Sequence, residues 1–170
     1  MRTLFICLIF LFACPFVGAQ WVQTNGPLAG GSVSSMIIAG ENILAGTNQN
    51  GVFISTDVGA SWHQVNYNFA GLGPRQFIIS GEYILVGTDA GIYRSADGGF
   101  TWAEANIGMP SYRSIGAMIV NGTNIIAGTA MGSYFVSTNN GESWLGVSLA
   151  QPAPAALAAC NGDLFAGTFG

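Results

Sequence analysis

The chain has no lysine, one histidine and four arginines against eight Asp and Glu in 170 residues. A protein that grips nucleic acid must neutralise several phosphates with clustered Lys and Arg, so nucleic-acid binding is excluded as a function class. With His63 as sole histidine and Cys7, Cys14 and Cys160 as the only cysteines, no Cys/His metal cluster and no complete Ser-His-Asp arrangement can be drawn. The sequence predicts no cofactor and no metal. Helical hydrophobic periods with caps are also missing.

Only one long apolar run exists, Leu4 to Val17, about fourteen residues where a bilayer span needs about 20. It follows Arg2 and ends at Val17-Gly18-Ala19, the pattern of a secretory signal peptide over 1–19, cleaved before Gln20. Leu11-Phe12-Ala13-Cys14 also has the outline of a lipoprotein cleavage box, from which Phe12 and Pro15 depart. Cleavage leaves three arginines against eight carboxylates, a net charge of −5, and Cys160 as the last cysteine. An exported chain without a disulfide must be held by packing and backbone pairing. Cys160 reads as a small buried hydrophobe closing the apolar run Ala155 to Ala159, with Val120 as its counterpart one repeat earlier. The expected location is the cell surface or beyond, with no membrane span after cleavage.

What the chain does have is a repeat. Ser-x-Asp/Asn-x-Gly-x-Ser/Thr-Trp occurs at Ser55–Trp62, Ser95–Trp102 and Ser137–Trp144, with starts 40 and 42 residues apart. A small-Gly-Thr tripeptide keeps the same beat, its glycines Gly46, Gly87, Gly128 and Gly167 stepping by 41, 41 and 39. A period near forty is that of a four-stranded propeller blade. Within one period, Arg75 to Ser80, Tyr83 to Thr88, Gly91 to Ala96 and Thr101 to Ala105 are short β-prone runs separated by Gly and Asp turns. The fold class is therefore all-β, a β-propeller of four-stranded antiparallel blades over 20–170. Blades are expected at about 33–66, 75–105 and 114–148, with a half blade at 154–170. Trp21-Val22-Gln23-Thr24 reads as a lone outer strand at 21–24. That count gives an incomplete ring, below the four to eight blades such rings use, as in the N-terminal part of a longer protein.

The three octets closely resemble the Asp-box, or BNR repeat, of sialidase-type propellers, xyloglucanase-type glycosidases, sortilin-like receptors and photosystem II assembly-factor-like propellers. The resemblance implies that each box lies in the turn between the third and fourth strands of a blade, away from any catalytic face. The chemistry of the octet suits that role. Asp57 and Asp97 can accept turn N–H groups, Gly59, Gly99 and Gly141 supply the tight conformation, and Trp62, Trp102 and Trp144 seal one blade on its neighbour. Ser55, Ser95 and Ser137 open the turns. Asn139 accepts in the third box without charge assistance, so that turn should hold more weakly.

A sialidase likeness would imply an arginine cluster, a Tyr-Glu pair and an acid. The mature chain has Arg75, Arg94 and Arg113 and no Phe/Tyr-Arg-Ile-Pro signature. Glu41, Glu82 and Asp163 recur as turn residues, Arg94 and His63 read as outward strand residues, and Asp89 and Glu104 are acids without an assigned partner. Catalytic residues are expected to be none. The loops after second strands and between blades gather on the face opposite the boxes, which makes Asn48, Asn50, Tyr67, Phe69, Arg75, Asp89, Met109, Tyr112 and Arg113 the candidate binding face. Rings beside amides and arginines suit a glycan or a peptide. The sequence thus points to a secreted, non-catalytic binding or scaffold module; the alternative is the N-terminal fragment of a secreted glycoside hydrolase of sialidase or xyloglucanase type.

Overall fold

The computed structural model describes residues 26, 32–65, 69, 71–111, 113–148 and 152–168. The proposed signal peptide and the Trp21–Thr24 strand lie outside them. Three four-stranded antiparallel sheets follow one another. The first holds β1 (Val33–Ala39), β2 (Asn42–Thr47), β3 (Gly51–Ser55) and β4 (His63–Gln64). The second holds β5 (Gln76–Ser80), β6 (Tyr83–Thr88), β7 (Gly91–Ser95) and β8 (Ala103–Glu104), and the third β9 (Ile115–Asn121), β10 (Asn124–Thr129), β11 (Tyr134–Ser137) and β12 (Leu145–Val147). A two-stranded sheet, β13 (Pro154–Cys160) and β14 (Asp163–Thr168), completes the order. Among the described residues no helix is long and apolar enough to cross a membrane.

The inner strands β1, β5, β9 and β13 lie side by side in that order, and β13 does not pack back against β1 as consecutive blades do. The ring is open. The small-Gly-Thr marker explains the spacing of its blades. A side chain at Gly46 would stand 2.7 Å from Pro74 Cβ, one at Gly87 2.7 Å from Ile115 Cγ2, and one at Gly128 would strike the Pro154 ring. Each glycine therefore makes room for the residue that leads into the next inner strand. The following threonine is buried and closes the β2–β3 type of turn: Thr47 Oγ1 donates to the Gly51 carbonyl and Thr88 Oγ1 to that of Gly91, both at 2.9 Å.

Core side chains sit between successive sheets. Leu44, Val52, Ile54, Phe77 and Trp102 form one cluster, and Leu85, Ile92, Ile115, Ile125 and Trp144 the next. Each full burial of such a side chain is worth about 1.5–3 kcal/mol. Phe69, expected on the binding face, is fully buried in the first cluster, edge-on to Tyr93 at 4.8 Å and to Trp102 at 5.6 Å. It lies over Gly51, where an added Cβ would be 2.7 Å from Phe69 Cβ. The loop delivers an aromatic inward because glycine leaves the space.

Cys160 also departs from expectation. It is exposed, and it pairs with Asp163 at the hairpin end, where the third sheet has Asn121 opposite Asn124. The last repeat step is 39 residues rather than 41, so the counterpart of Cys160 is Asn121 and not Val120. A slip of one residue turns a strand side chain to the other face. The outer strands β4, β8 and β12 begin two residues after Ser61, Thr101 and Ser143, whose N–H groups are taken inside the octet turns, so the run expected from Thr101 starts at Ala103.

Candidate functional site

The octet turns are built alike. Ser55 Oγ donates to Asp57 Oδ1 at 2.8 Å and accepts the Gly59 N–H at 2.8 Å, while Asp57 Oδ1 takes the Ser61 N–H at 2.8 Å and Oδ2 the Ser61 hydroxyl at 2.6 Å. Ser95, Asp97, Gly99 and Thr101 repeat the set within 0.1 Å. In the third turn Asn139 Oδ1 accepts from Ser137 Oγ at 2.8 Å and Ser143 N at 3.0 Å, but Nδ2 now donates to Ser143 Oγ at 2.9 Å. The amide keeps the number of bonds and reverses the direction of one.

The Ser61 hydroxyl, the Ser61 N–H and then Ser55 lower the Asp57 carboxyl to about 2. At Asp97 burial pushes upward, yet the Thr101 hydroxyl, its N–H and Ser95 outweigh it and hold the carboxyl below its ordinary value. Gly59, Gly99 and Gly141 adopt φ of 86°, 99° and 79°. The residue before each is also left-handed: Val58 at 58°, Gly98 at 74° and Asn140 at 54°.

These turns do more than lock themselves. The second and third reach back onto the hairpin of the preceding blade: Asn42 Nδ2 donates to the Gly98 carbonyl at 3.3 Å, and Ser80 Oγ to Asn140 Oδ1 at 2.9 Å. Trp144 Nε1 donates to the Ala105 carbonyl at 2.8 Å, whereas buried Trp62 Nε1 has no partner among the described residues. Arg94, read from sequence as an outward strand residue, is half-buried, lies 4.4 Å from the Tyr83 ring centre and donates to the Asn140 carbonyl at 3.2 Å. The second and third octets therefore serve blade contact.

The opposite end holds a cleft of about 480 Å³ lined by Ser34, Asn48, Gly73, Arg75, Asp89 and Gly116. Arg75 Nε and Nη2 both lie 2.6 Å from Asp89 Oδ1, an ion pair about half exposed. Ser114 Oγ adds a third, longer bond to that oxygen at 3.3 Å. Asn48 donates through Nδ2 to Ser32 Oγ at 2.8 Å, and Ser34 Oγ faces the carbonyls of Gly46 and Pro74.

Of the nine expected residues, the cleft brings Asn48, Arg75 and Asp89 together. Asn50 stays in the β2–β3 turn, and Met109 is half-buried against the second core cluster. Arg113 pairs with Glu104 at 3.7 Å, and Phe69 is core. Tyr67 and Tyr112 lie outside the described residues. Both acids without a role in the sequence, Asp89 and Glu104, thus have an arginine. Ser34, Gly73 and Gly116 were missed, though the register held a signal for two of them: Ser34 and Gly116, like Arg75, stand twelve residues before a marker glycine, and Asn48 and Asp89 two after one. Among the described residues no group of three or more His, Cys, Asp or Glu could hold a metal.

Neither a protein-family model nor a curated protein matches the sequence. Solved structures match it as a fold. The computationally designed Ika4 protein is 12% identical with a TM-score of 0.67, over 89% of this chain and 92% of that one. The extracellular domain of a putative hybrid two-component system from B. thetaiotaomicron is 16% identical with a TM-score of 0.67, over 85% and 21%. An ancestral GH74 enzyme is 25% identical with a TM-score of 0.55, over 75% and 20%. The chain is thus similar to nearly all of a designed protein and to about a fifth of two larger proteins.

Proposed function

We propose that this chain is an Asp-box propeller module, exported by residues 1–19, that binds a glycan or a peptide outside the cytoplasm without chemical turnover. The observation that carries the reading is the cleft around Arg75 and Asp89. Its carboxylate is paired with an arginine instead of facing a second carboxylate, whereas sugar hydrolysis in the usual scheme needs two acids across the scissile bond. The likeness to the extracellular domain of a bacterial sensor system supports an exterior setting. Purified 20–170 should bind members of a glycan or peptide array and leave xyloglucan and a fluorogenic sialoside intact. Hydrolysis of either substrate at a steady rate overturns the reading.

A second reading has one observation in its favour, the 25% identity to the ancestral GH74 enzyme. Under it the segment is part of a glycosidase whose acids lie in further sequence. Binding of a polymeric substrate by this segment, with turnover only in a longer chain, is its signature.

A further inference from the structure

We propose, on top of the binding-module reading, that the Arg75–Asp89 cleft selects uncharged glycans and turns away acidic ones. Two N–H groups of the guanidinium converge on one oxygen of Asp89, so the pair carries no net charge toward a ligand. The groups left over are of both kinds. Arg75 keeps N–H donors on its third nitrogen, Asp89 keeps Oδ2, and Asn48 keeps Oδ1 because its amide nitrogen is engaged by Ser32. Gly73 preserves Oδ2, since a side chain there would stand within contact distance of that oxygen.

A sugar hydroxyl both donates and accepts, so neighbouring hydroxyls match a donor and an acceptor held side by side. The carboxylate of an acidic sugar accepts only. Beside Arg75 it would face Asp89 Oδ2 and Asn48 Oδ1, two acceptors it cannot satisfy, on a mature chain of net charge −5. The second arginine of this end, Arg113, offers no help, since Glu104 lies 3.7 Å away.

A peptide is disfavoured by the walls and by the strand edge. Ser34, Gly73 and Gly116 form no apolar pocket for side chains, and peptide capture by a sheet needs a free edge. At Met118 the β9 edge is already in use: Gln76 Nε2 donates to the Met118 carbonyl at 2.9 Å, and Gln76 Oε1 accepts the Met118 N–H at 2.8 Å. The side-chain amide there takes the place of one residue of a strand a peptide would add. The volume falls within the range of about 300–1,000 Å³ typical of ligand sites.

The test uses residues 20–170 on a panel of uncharged oligosaccharides (cello-, xylogluco-, manno- and lacto-series) beside their sialylated and uronic-acid counterparts, with a peptide library in parallel. Wild type should bind uncharged members and not the acidic ones. Asp89→Asn, which frees the guanidinium while keeping shape, should weaken uncharged binding by roughly tenfold and admit sialylated members. Arg75→Gln should lose both; thermal melts check folding of each variant. Preference for acidic glycans in wild type, or uncharged binding untouched by both substitutions, overturns the inference while the binding module stands. Capture of peptides with no glycan bound does the same. Turnover, or no binding to either panel, overturns both readings.

Discussion

The same strand position has opposite fates at the two ends of the chain. Two residues before the marker glycine, Leu44 and Leu85 are 0% exposed and Ile126 6%, but Phe165 in β14 is 56% exposed. The marker glycines divide likewise: Gly46, Gly87 and Gly128 are crowded by the next blade, while the nearest neighbour of Gly167 is Ala156 Cβ at 3.9 Å. Local sequence is nearly constant, so burial is conferred by the neighbouring blade. Stability should then behave as a sum of blades and their contacts.

The largest test of this contrast is truncation at the shared position. Leu85→Ala should cost about 3 kcal/mol in urea unfolding, and Phe165→Ala less than about 0.5 kcal/mol; equal costs would mean that β14 is covered in solution. Next, Gly87→Ala drives a methyl into buried Ile115 and should cost about 1–3 kcal/mol, whereas Gly167→Ala should leave the urea midpoint unchanged.

A third substitution separates local strain from neighbour packing. Val58 is β-branched, 84% exposed and left-handed, where the other octets have Gly98 and Asn140. Val58→Asn should raise stability by about 1 kcal/mol by relieving that conformation, seen as a higher melting temperature. No change would show that the first turn relaxes freely.

The smallest effect distinguishes the octets by charge. Asp57 and Asp97 ionise more readily folded than unfolded, so their contribution is whole above about pH 4, the ordinary carboxylate range. It is lost as pH falls through the folded values, about 2 for Asp57. The Asn139 turn has no such dependence. Replacing both aspartates with Asn should flatten the fall in urea midpoint between pH 5 and 2, and Asn139→Asp should steepen it; the opposite order would remove the carboxylates from the acid response.

Architecture was legible because two markers keep one phase and each has a fixed job, the glycine admitting the next blade and the octet closing a turn. The cleft was only partly legible. Its positions hold a constant register, but their identities change from Ser34 to Arg75 to Gly116, so no motif marks them. Phe69 misled because a loop aromatic can turn inward wherever a glycine, here Gly51, leaves room. Arg94 misled for a related reason: its partner Asn140 arrives from the next blade.

That arrival has a direction. Asn42, Ser80 and Asn121 all wait for a backbone or amide oxygen one blade later in the chain, at Gly98, Asn140 and Gly162. During synthesis each blade would be finished only by its successor, so order would advance like a zipper running one tooth behind the ribosome. Protease protection of stalled nascent chains should accordingly lag the emerged length by one repeat, and protection of a blade before its successor emerges would show that the blades close independently.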